Sequence, residues 1–143
     1  MIYGNWFVLY NGNLANDVSF ANLESFDDLL VKGNCICAPT VCWRREFWAG
    51  YLKDIEPDKK NWFFEDYPLW LYIARHGKIK HLNRNFCVYR LNAESASVYT
   101  NPEKRLKIRA DVYEVQLLFA EKYAPQYLPE IARKILENEG LSQ

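Results

Sequence analysis

The sequence is poor in the residues that most often announce a chemistry. It has two histidines, and its four cysteines (Cys35, Cys37, Cys42 and Cys87) form no Cys-x-x-Cys pair, so the spacing of a zinc site is absent. No glycine-rich loop follows a strand-like segment, which leaves the chain without a nucleotide-binding motif of its own. Eighteen Lys and Arg balance eighteen Asp and Glu, so no net field recruits nucleic acid or an anionic membrane. No apolar run approaches the roughly 20 residues that cross a bilayer. The first residues lack the basic-then-apolar layout of a signal peptide. A cytoplasmic location is expected, with membrane association left to a longer protein. Free, buried thiols in a reducing compartment fit the cysteine usage best, a disulfide between strands being the alternative.

Aromatics, by contrast, are plentiful: 16% of 143 residues, including five Trp and ten Tyr. That abundance serves a core in the first instance and sugar stacking in the second. The length is one domain's worth of chain, enough to bury about two-thirds of the unfolded surface. There is no internal repeat and no flexible linker.

Strands and helices are expected in mixed order without regular βαβ alternation. "IYGNWFVLY" (Ile2 to Tyr10) reads as a strand, and the Asn11-Gly12-Asn13 turn predicts a hairpin with a return strand near Leu14–Phe20. A short helix is predicted from Ser25 as N-cap to Lys32, with Gly33 after its end. "CICAPTVCW" reads as buried and extended, "RREFWAG" as a helical turn stopped at Gly50, and the polar Tyr51–Lys60 stretch as an exposed, mobile loop. A helix follows from Asp66 to His76, stopped at Gly77, with Pro68 in its first turn. "KIKHL" and "FCVYRL" read as two strands joined by the turn "NRN". Pro102 opens a long helix to Tyr123, and a last amphipathic helix carries Leu128, Ile131, Ala132 and Ile135 on one face.

The stretch "NWFFEDYPLW" (Asn61 to Trp70) sets two carboxylates among five aromatic rings. Burying an unpartnered carboxylate costs several kcal/mol on the order of magnitude known for such charges, so these acids belong at a rim or have a use. Helical spacing puts Asp66, Leu69, Trp70, Ile73 and Ala74 on one inward face, with Asp66 at its N-terminal end. There the free backbone N–H groups and the helix dipole favour its ionised form. The plainer alternative is an N-cap, a common role for Asp. Glu65 is read as a solvent-facing neighbour or a partner for Arg44 or Arg90.

Three ordered segments then point to a family. Thr40, Val41, Arg44 and Arg45 match a T-V-x-x-R-R-like segment. Glu65, Asp66, Leu69, Trp70, Leu71, Ala74, Gly77, Lys78 and Ile79 match E-D-x-x-L-W-L-x-x-A-x-x-G-K-I. Tyr89, Arg90, Ser95 and Ser97 match a Y-R-x-x-x-x-S-x-S ending. Over roughly Asn34 to Ser97 the chain resembles the second half of a family 2 glycosyltransferase of the GT-A fold. The resemblance implies an α/β (α+β-like) fragment: a partial GT-A fold with a mixed sheet, flanking helices and a C-terminal helical pair. Residues 1–100 would be the acceptor-side portion of a catalytic domain, and 101–143 a helical extension packed on it.

The resemblance also implies chemistry, namely inverting transfer of a sugar from a nucleotide-diphosphate donor to a hydroxyl of a glycan or lipid-linked acceptor. Asp66 would be the base and Glu65 its supporting acid. Thr40, Trp43, Arg44, Phe64, Trp70 and Arg90 would contact substrate, although Trp43, Phe64 and Trp70 are residue types more often found in a core than as a stacking platform, Trp70 on its inward helix face most of all. Two departures stand out. The family's nucleotide-binding half and its metal-gripping D-x-D are missing, with Asp54-Ile55-Glu56 and Asp27-Asp28 only distant imitations, so the chain is expected to be part of a longer, Mn- or Mg-dependent enzyme, inactive alone, with no metal site of its own. Asn92 stands where many relatives carry His. The alternatives are a non-catalytic carbohydrate- or protein-binding module, or an interaction domain that docks through its last helices. For a truncated sheet, self-association through an unpaired edge near Ile2–Tyr10 is expected.

Overall fold

The computed structural model describes residues 1–15, 22–91 and 101–140. The strands are β1 (Ile2–Tyr10), β2 (Asn13–Ala15) and β3 (Lys80–Leu91); the helices are α1 (Phe26–Lys32), α2 (Glu46–Ile55), α3 (Asp66–His76), α4 (Pro102–Tyr123) and α5 (Leu128–Gly140). Short 3₁₀ turns at Ala38–Thr40, Pro57–Lys59 and Pro125–Tyr127 complete the path. The fold is mixed α/β. Its sheet has the order β2-β1-β3, with β1 antiparallel to β2 and parallel to β3.

Local chemistry explains most element ends. Asn11 and Gly12 both take positive φ (48° and 78°), the two left-handed positions that a two-residue type I′ hairpin requires. The return strand is described only as Asn13–Ala15; the remainder of the expected strand lies outside the described residues, as do Asn92, Ser95 and Ser97. Ser25 caps α1 by accepting from the Asp28 N–H at 3.0 Å. Asn101 does the same for α4 through Glu103 and Lys104, with Pro102 in the first turn.

Four expectations change. Helix α2 runs through Gly50 instead of stopping there: a Cβ at Gly50 would lie 2.4 Å from the Tyr72 hydroxyl, so the glycine lets α2 approach α3 closely. The Tyr51–Lys60 stretch is therefore not a loop. Tyr51 and Ile55 are buried on α2, Glu56 ends the helix in the left-handed conformation, and a 3₁₀ turn opens at Pro57. The "NRN" segment is no turn either. Leu82 pairs with Gly4, Asn85 with Asn5 and Cys87 with Trp6, so Asn83, Arg84 and Phe86 are absorbed as an irregularity in one continuous strand. Finally, β1 lies at the centre of the sheet. Among the described residues β1 meets β2 over Val8–Tyr10, and the two edges are β2 and β3, the latter exposing Phe86 and Val88.

Helix α3 occupies the middle of the core. Every residue from Tyr67 to Ala74 is buried, more than the single inward face its spacing predicts, because α1, α2 and α4 all pack on it. The Tyr67 hydroxyl donates to the Leu29 carbonyl of α1 at 3.0 Å, and the Tyr72 hydroxyl to Asp54 of α2 at 3.0 Å. Helix α4 contributes Val115, Phe119 and Ala120 to the same core, and Gln116 donates to the Leu30 carbonyl at 2.6 Å. On α5, Ile131 is buried while Leu128 and Ile135 pack against the core; Ala132, expected on that face, is exposed.

The Gly50 contact gives a signed prediction. In an unpacked helix, Gly→Ala stabilises by roughly 0.5–1 kcal/mol. Here the methyl must push the buried Tyr72 ring from its bond to Asp54, so Gly50→Ala should destabilise by about 1–3 kcal/mol, read as a lower midpoint in urea unfolding. A raised midpoint would mean that α2 and α3 do not meet at this residue.

Candidate active site

The site is built around the first residue of α3. Glu65 is the N-cap residue and makes no side-chain cap bond; Asp66 is the first helical residue. Neither acid is thus a conventional cap. Pro68 has no N–H to satisfy, and the Tyr67 N–H is taken by Asp66 Oδ1 at 2.8 Å. Among the described residues, Asp66 Oδ2 receives a long bond, 3.4 Å, from Asn34 Nδ2, and the N–H of Asp66 itself also favours the ionised carboxylate. Asn34 is oriented by its own segment, since its Oδ1 accepts the Ile36 N–H at 2.9 Å and the amide end is left facing Asp66. One carboxylate oxygen is anchored and the other is nearly unengaged.

Burial is the largest influence on Asp66 and pushes its pKa above the ordinary carboxylate value. The hydrogen bonds from Tyr67 and Asn34 pull the other way and lose. The helix start and its hydrogen bonds favour the ionised form, but desolvation outweighs them, so the carboxylate is more basic than an ordinary aspartate.

Three clefts meet at Asp66, with Ala38 on the wall of each. The first, about 440 Å³, lies between the sheet and the Asn34–Pro39 segment and is walled by Trp6, Val8, Tyr89 and Leu91. Parallel register creates that wall: Trp6 sits opposite Cys87, Val8 opposite Tyr89 and Tyr10 opposite Leu91, so alternate side chains of both strands share a face. The second, about 580 Å³, is bounded by Phe63, Phe64 and Glu65 and by Ile108 and Val112 of α4. The third, about 480 Å³, is bounded by Trp48, Tyr51, Asp58, Glu65 and Trp70. All three fall in the size range of small-ligand pockets.

The third cleft has a particular chemistry. Tyr51 Oη and Trp70 Nε1 are buried and make no hydrogen bond to any described residue, an arrangement that costs about 1–3 kcal/mol for each group. Burial raises the Tyr51 hydroxyl's pKa, and the nearby negative charges of Glu65 and Asp66 raise it further. Rings continue outward from this wall. Tyr51 packs on Trp48 (centroids 5.7 Å apart), and Trp48 on Trp43 (6.1 Å). Trp48 is 43% exposed.

The expected site residues divide accordingly. Asp66, Glu65, Phe64 and Trp70 are brought together, and Trp43 reaches the group through Trp48. Thr40 is buried and occupied within the fold, its hydroxyl donating to the Cys37 carbonyl at 2.7 Å and accepting from the Gly4 N–H at 3.4 Å. Arg44 is 82% exposed and faces Glu46 at 3.6 Å, not Glu65. Arg90 follows Tyr89 on β3 and so projects from the opposite face of the sheet. Reasoning from the sequence passed over Trp6, Val8, Asn34, Ala38, Tyr51 and Tyr89. The alternation of Trp6 with Val8 and of Cys87 with Tyr89 was the available signal for the sheet wall; Asn34 offered none beyond its turn-forming character.

No group of three or more His, Cys, Asp or Glu among the described residues could hold a metal ion. No helix of the described residues is long and apolar enough to cross a membrane.

The aromatic segment before Asp66 is held from outside. Asp111 of α4, 2% exposed, accepts the Phe63 N–H at 2.8 Å and pairs with Lys107, which also donates to the Asn61 carbonyl at 2.8 Å. Asp111→Ala should remove the acceptor that takes the Phe63 N–H and destabilise by about 1–3 kcal/mol, with accelerated amide exchange at Phe63; Asp111→Asn, which keeps an acceptor, should lose less. Equal, negligible losses in both would mean that α4 does not brace the segment.

No protein-family model matches the chain, and comparisons with curated proteins and with solved structures likewise gave no match, so what the site does must be argued from its own residues.

Proposed function

We propose that the chain is the acceptor-side portion of an inverting glycosyltransferase with a partial GT-A fold, and that Asp66 is its general base. One observation carries the reading: a single carboxylate, made more basic by burial and with one oxygen nearly unengaged, stands where three aromatic-walled clefts meet. A base needs those properties, because proton transfer is most effective when its pKa approaches the working pH and the hydroxyl lies within hydrogen-bond reach.

In this mechanism an acceptor hydroxyl donates to Asp66 Oδ2. As its oxygen attacks the anomeric carbon of the donor, the bond from that carbon to the diphosphate breaks on the opposite face and the proton passes to Asp66. Asn34 and the Tyr67 N–H hold the carboxylate in place. Tyr51 Oη and Trp70 Nε1 are unused polar groups on the wall of the third cleft, suited to a hydroxyl-rich acceptor that would satisfy them, and Trp48 offers a ring face beside them. Glu65, exposed at the rim, supports the negative potential. The nucleotide-sugar and any divalent cation would be gripped by other parts of a longer protein, and no step here is routed through a metal. A cytoplasmic setting, with membrane association in that longer protein, belongs to the same proposal.

A second reading, a carbohydrate-binding module, is favoured by the Trp43–Trp48–Tyr51 ladder, which could stack a glycan without Asp66. Substitution separates the two. In an enzyme carrying this chain, Asp66→Asn should lower transfer about 10²–10⁴-fold while glycan binding persists; Trp48→Ala should weaken glycan binding in either case. Near-normal turnover in Asp66→Asn would overturn the catalytic reading.

The pH dependence has a defined sign. Only ionised Asp66 accepts a proton, so transfer should rise with pH through a pKa above the ordinary Asp value of about 3.9. Stability should run oppositely. A carboxyl whose folded pKa is raised binds its proton more tightly in the folded state, so it costs nothing below the unfolded pKa and destabilises as pH climbs through the folded one. Thermal melts should show Asp66→Asn gaining on the wild type as pH climbs from the ordinary Asp value of about 3.9 through the raised value of the folded state. A gain that shrinks with rising pH would contradict the burial argument.

A further inference from the structure

The geometry points to Cys37 and Cys87 as a modifiable dithiol, able to close into a disulfide across the sheet-side cleft beside Asp66. Cys37 lines that cleft. Cys87 lies opposite Trp6 in the parallel register, and Trp6 lines the same cleft, so the thiol of β3 and the thiol of the Asn34–Thr40 segment converge from its two walls. Cys87 is the side-chain neighbour whose thiol acts on Cys37, the 3₁₀ turn that follows Cys37 packs against β3, and both residues are half-buried. They are fifty positions apart in sequence, which removes any trivial reason for their meeting.

Cys37, of the remaining three cysteines, is the one whose thiol meets that of Cys87. The backbone of Cys42 pairs with Ile2, four residues along β1 from Trp6, and at the strand rise that is about 13 Å away. Cys35 lines the same cleft two residues before Cys37, so the position of the cross-link discriminates between them. Burial and the neighbouring thiol push Cys37 up to about 12, so its thiolate is scarce at neutral pH and the step in which it is the nucleophile is slow.

The reaction is exchange with a small-molecule disulfide such as oxidised glutathione. Cys87, losing its proton, attacks one sulfur of the reagent; the reagent's sulfur–sulfur bond breaks and the departing thiolate takes up a proton. Cys37, losing its proton, then attacks the Cys87 sulfur of the mixed disulfide and expels the second reagent thiolate, which is protonated in turn. Two protein thiols have lost two hydrogens and two electrons, and one small disulfide has become two thiols. The product fastens the segment that carries Asn34, and hence the bond to Asp66, onto the strand that carries Tyr89. It fixes one wall of the site whether or not Asp66 is a base.

The test is a peptide map of the wild-type chain equilibrated with reduced and oxidised glutathione at graded ratios and quenched with a maleimide. The expected result is a Cys37–Cys87 cross-linked peptide, an intact mass lower by two hydrogens, and a melting temperature that rises on oxidation and returns with reductant. Cys87→Ser, checked for folding by circular dichroism, should abolish both the cross-link and the shift. Because the map uses the unaltered chain, failure of the variant to fold would not affect it. Glutathione trapped on single cysteines, or a cross-link joining another pair, would overturn the proposal.

Discussion

The structure depends on the burial of α3 from all sides. Eight consecutive residues, Tyr67 to Ala74, are removed from solvent, and a helix so enclosed must satisfy its polar side chains within the protein. Tyr67 does so on α1 and Tyr72 on α2, so the pillar positions its neighbours as firmly as they bury it. Gly50 is part of the same constraint, since α2 can approach the pillar only where a side chain is missing.

The candidate site follows from where that burial stops. Asp66 is the last position before the enclosed run, half in the core and half at the junction of the clefts. Its carboxylate inherits a desolvated setting without being sealed away. Tyr51 and Trp70 share the position from the other side, buried enough to lose water yet without partners among the described residues for their polar atoms. A site whose polar groups are unmatched within the fold is costly to maintain, and a hydroxyl-rich ligand is the chemistry that would offset the cost.

The sequence was legible where signals are local. The Asn11-Gly12 turn, the Ser25 cap, the Pro102 start and the Asp66–His76 helix all follow from residues within a few positions of one another. It misled where the partner is distant. Gly50 resembles a helix stop because nothing nearby reveals Tyr72 across the interface, and Asn83 to Asn85 resemble a turn because β1, against which they bulge, is nearly eighty residues earlier. Tyr51 and Ile55 did carry a signal, one helical turn apart within a polar stretch, and the charge around them outweighed it. For the site, the paired acids and Phe64 and Trp70 stood out by chemistry alone. Thr40 and Arg90 were drawn in by motif position, whereas hydrogen bonding and strand alternation place them elsewhere.

The central claim is that burial makes Asp66 more basic than an ordinary aspartate while leaving one oxygen open to a ligand. Carbon-detected NMR titration of the Asp66 side-chain carboxyl in the folded chain tests it most directly. The account predicts a midpoint above the ordinary value of about 3.9, with Asn34→Ala, which removes a bond to the ionised form, moving it higher still. A midpoint at or below that value would show that the helix start and its hydrogen bonds dominate, and the argument for a general base would fail with it.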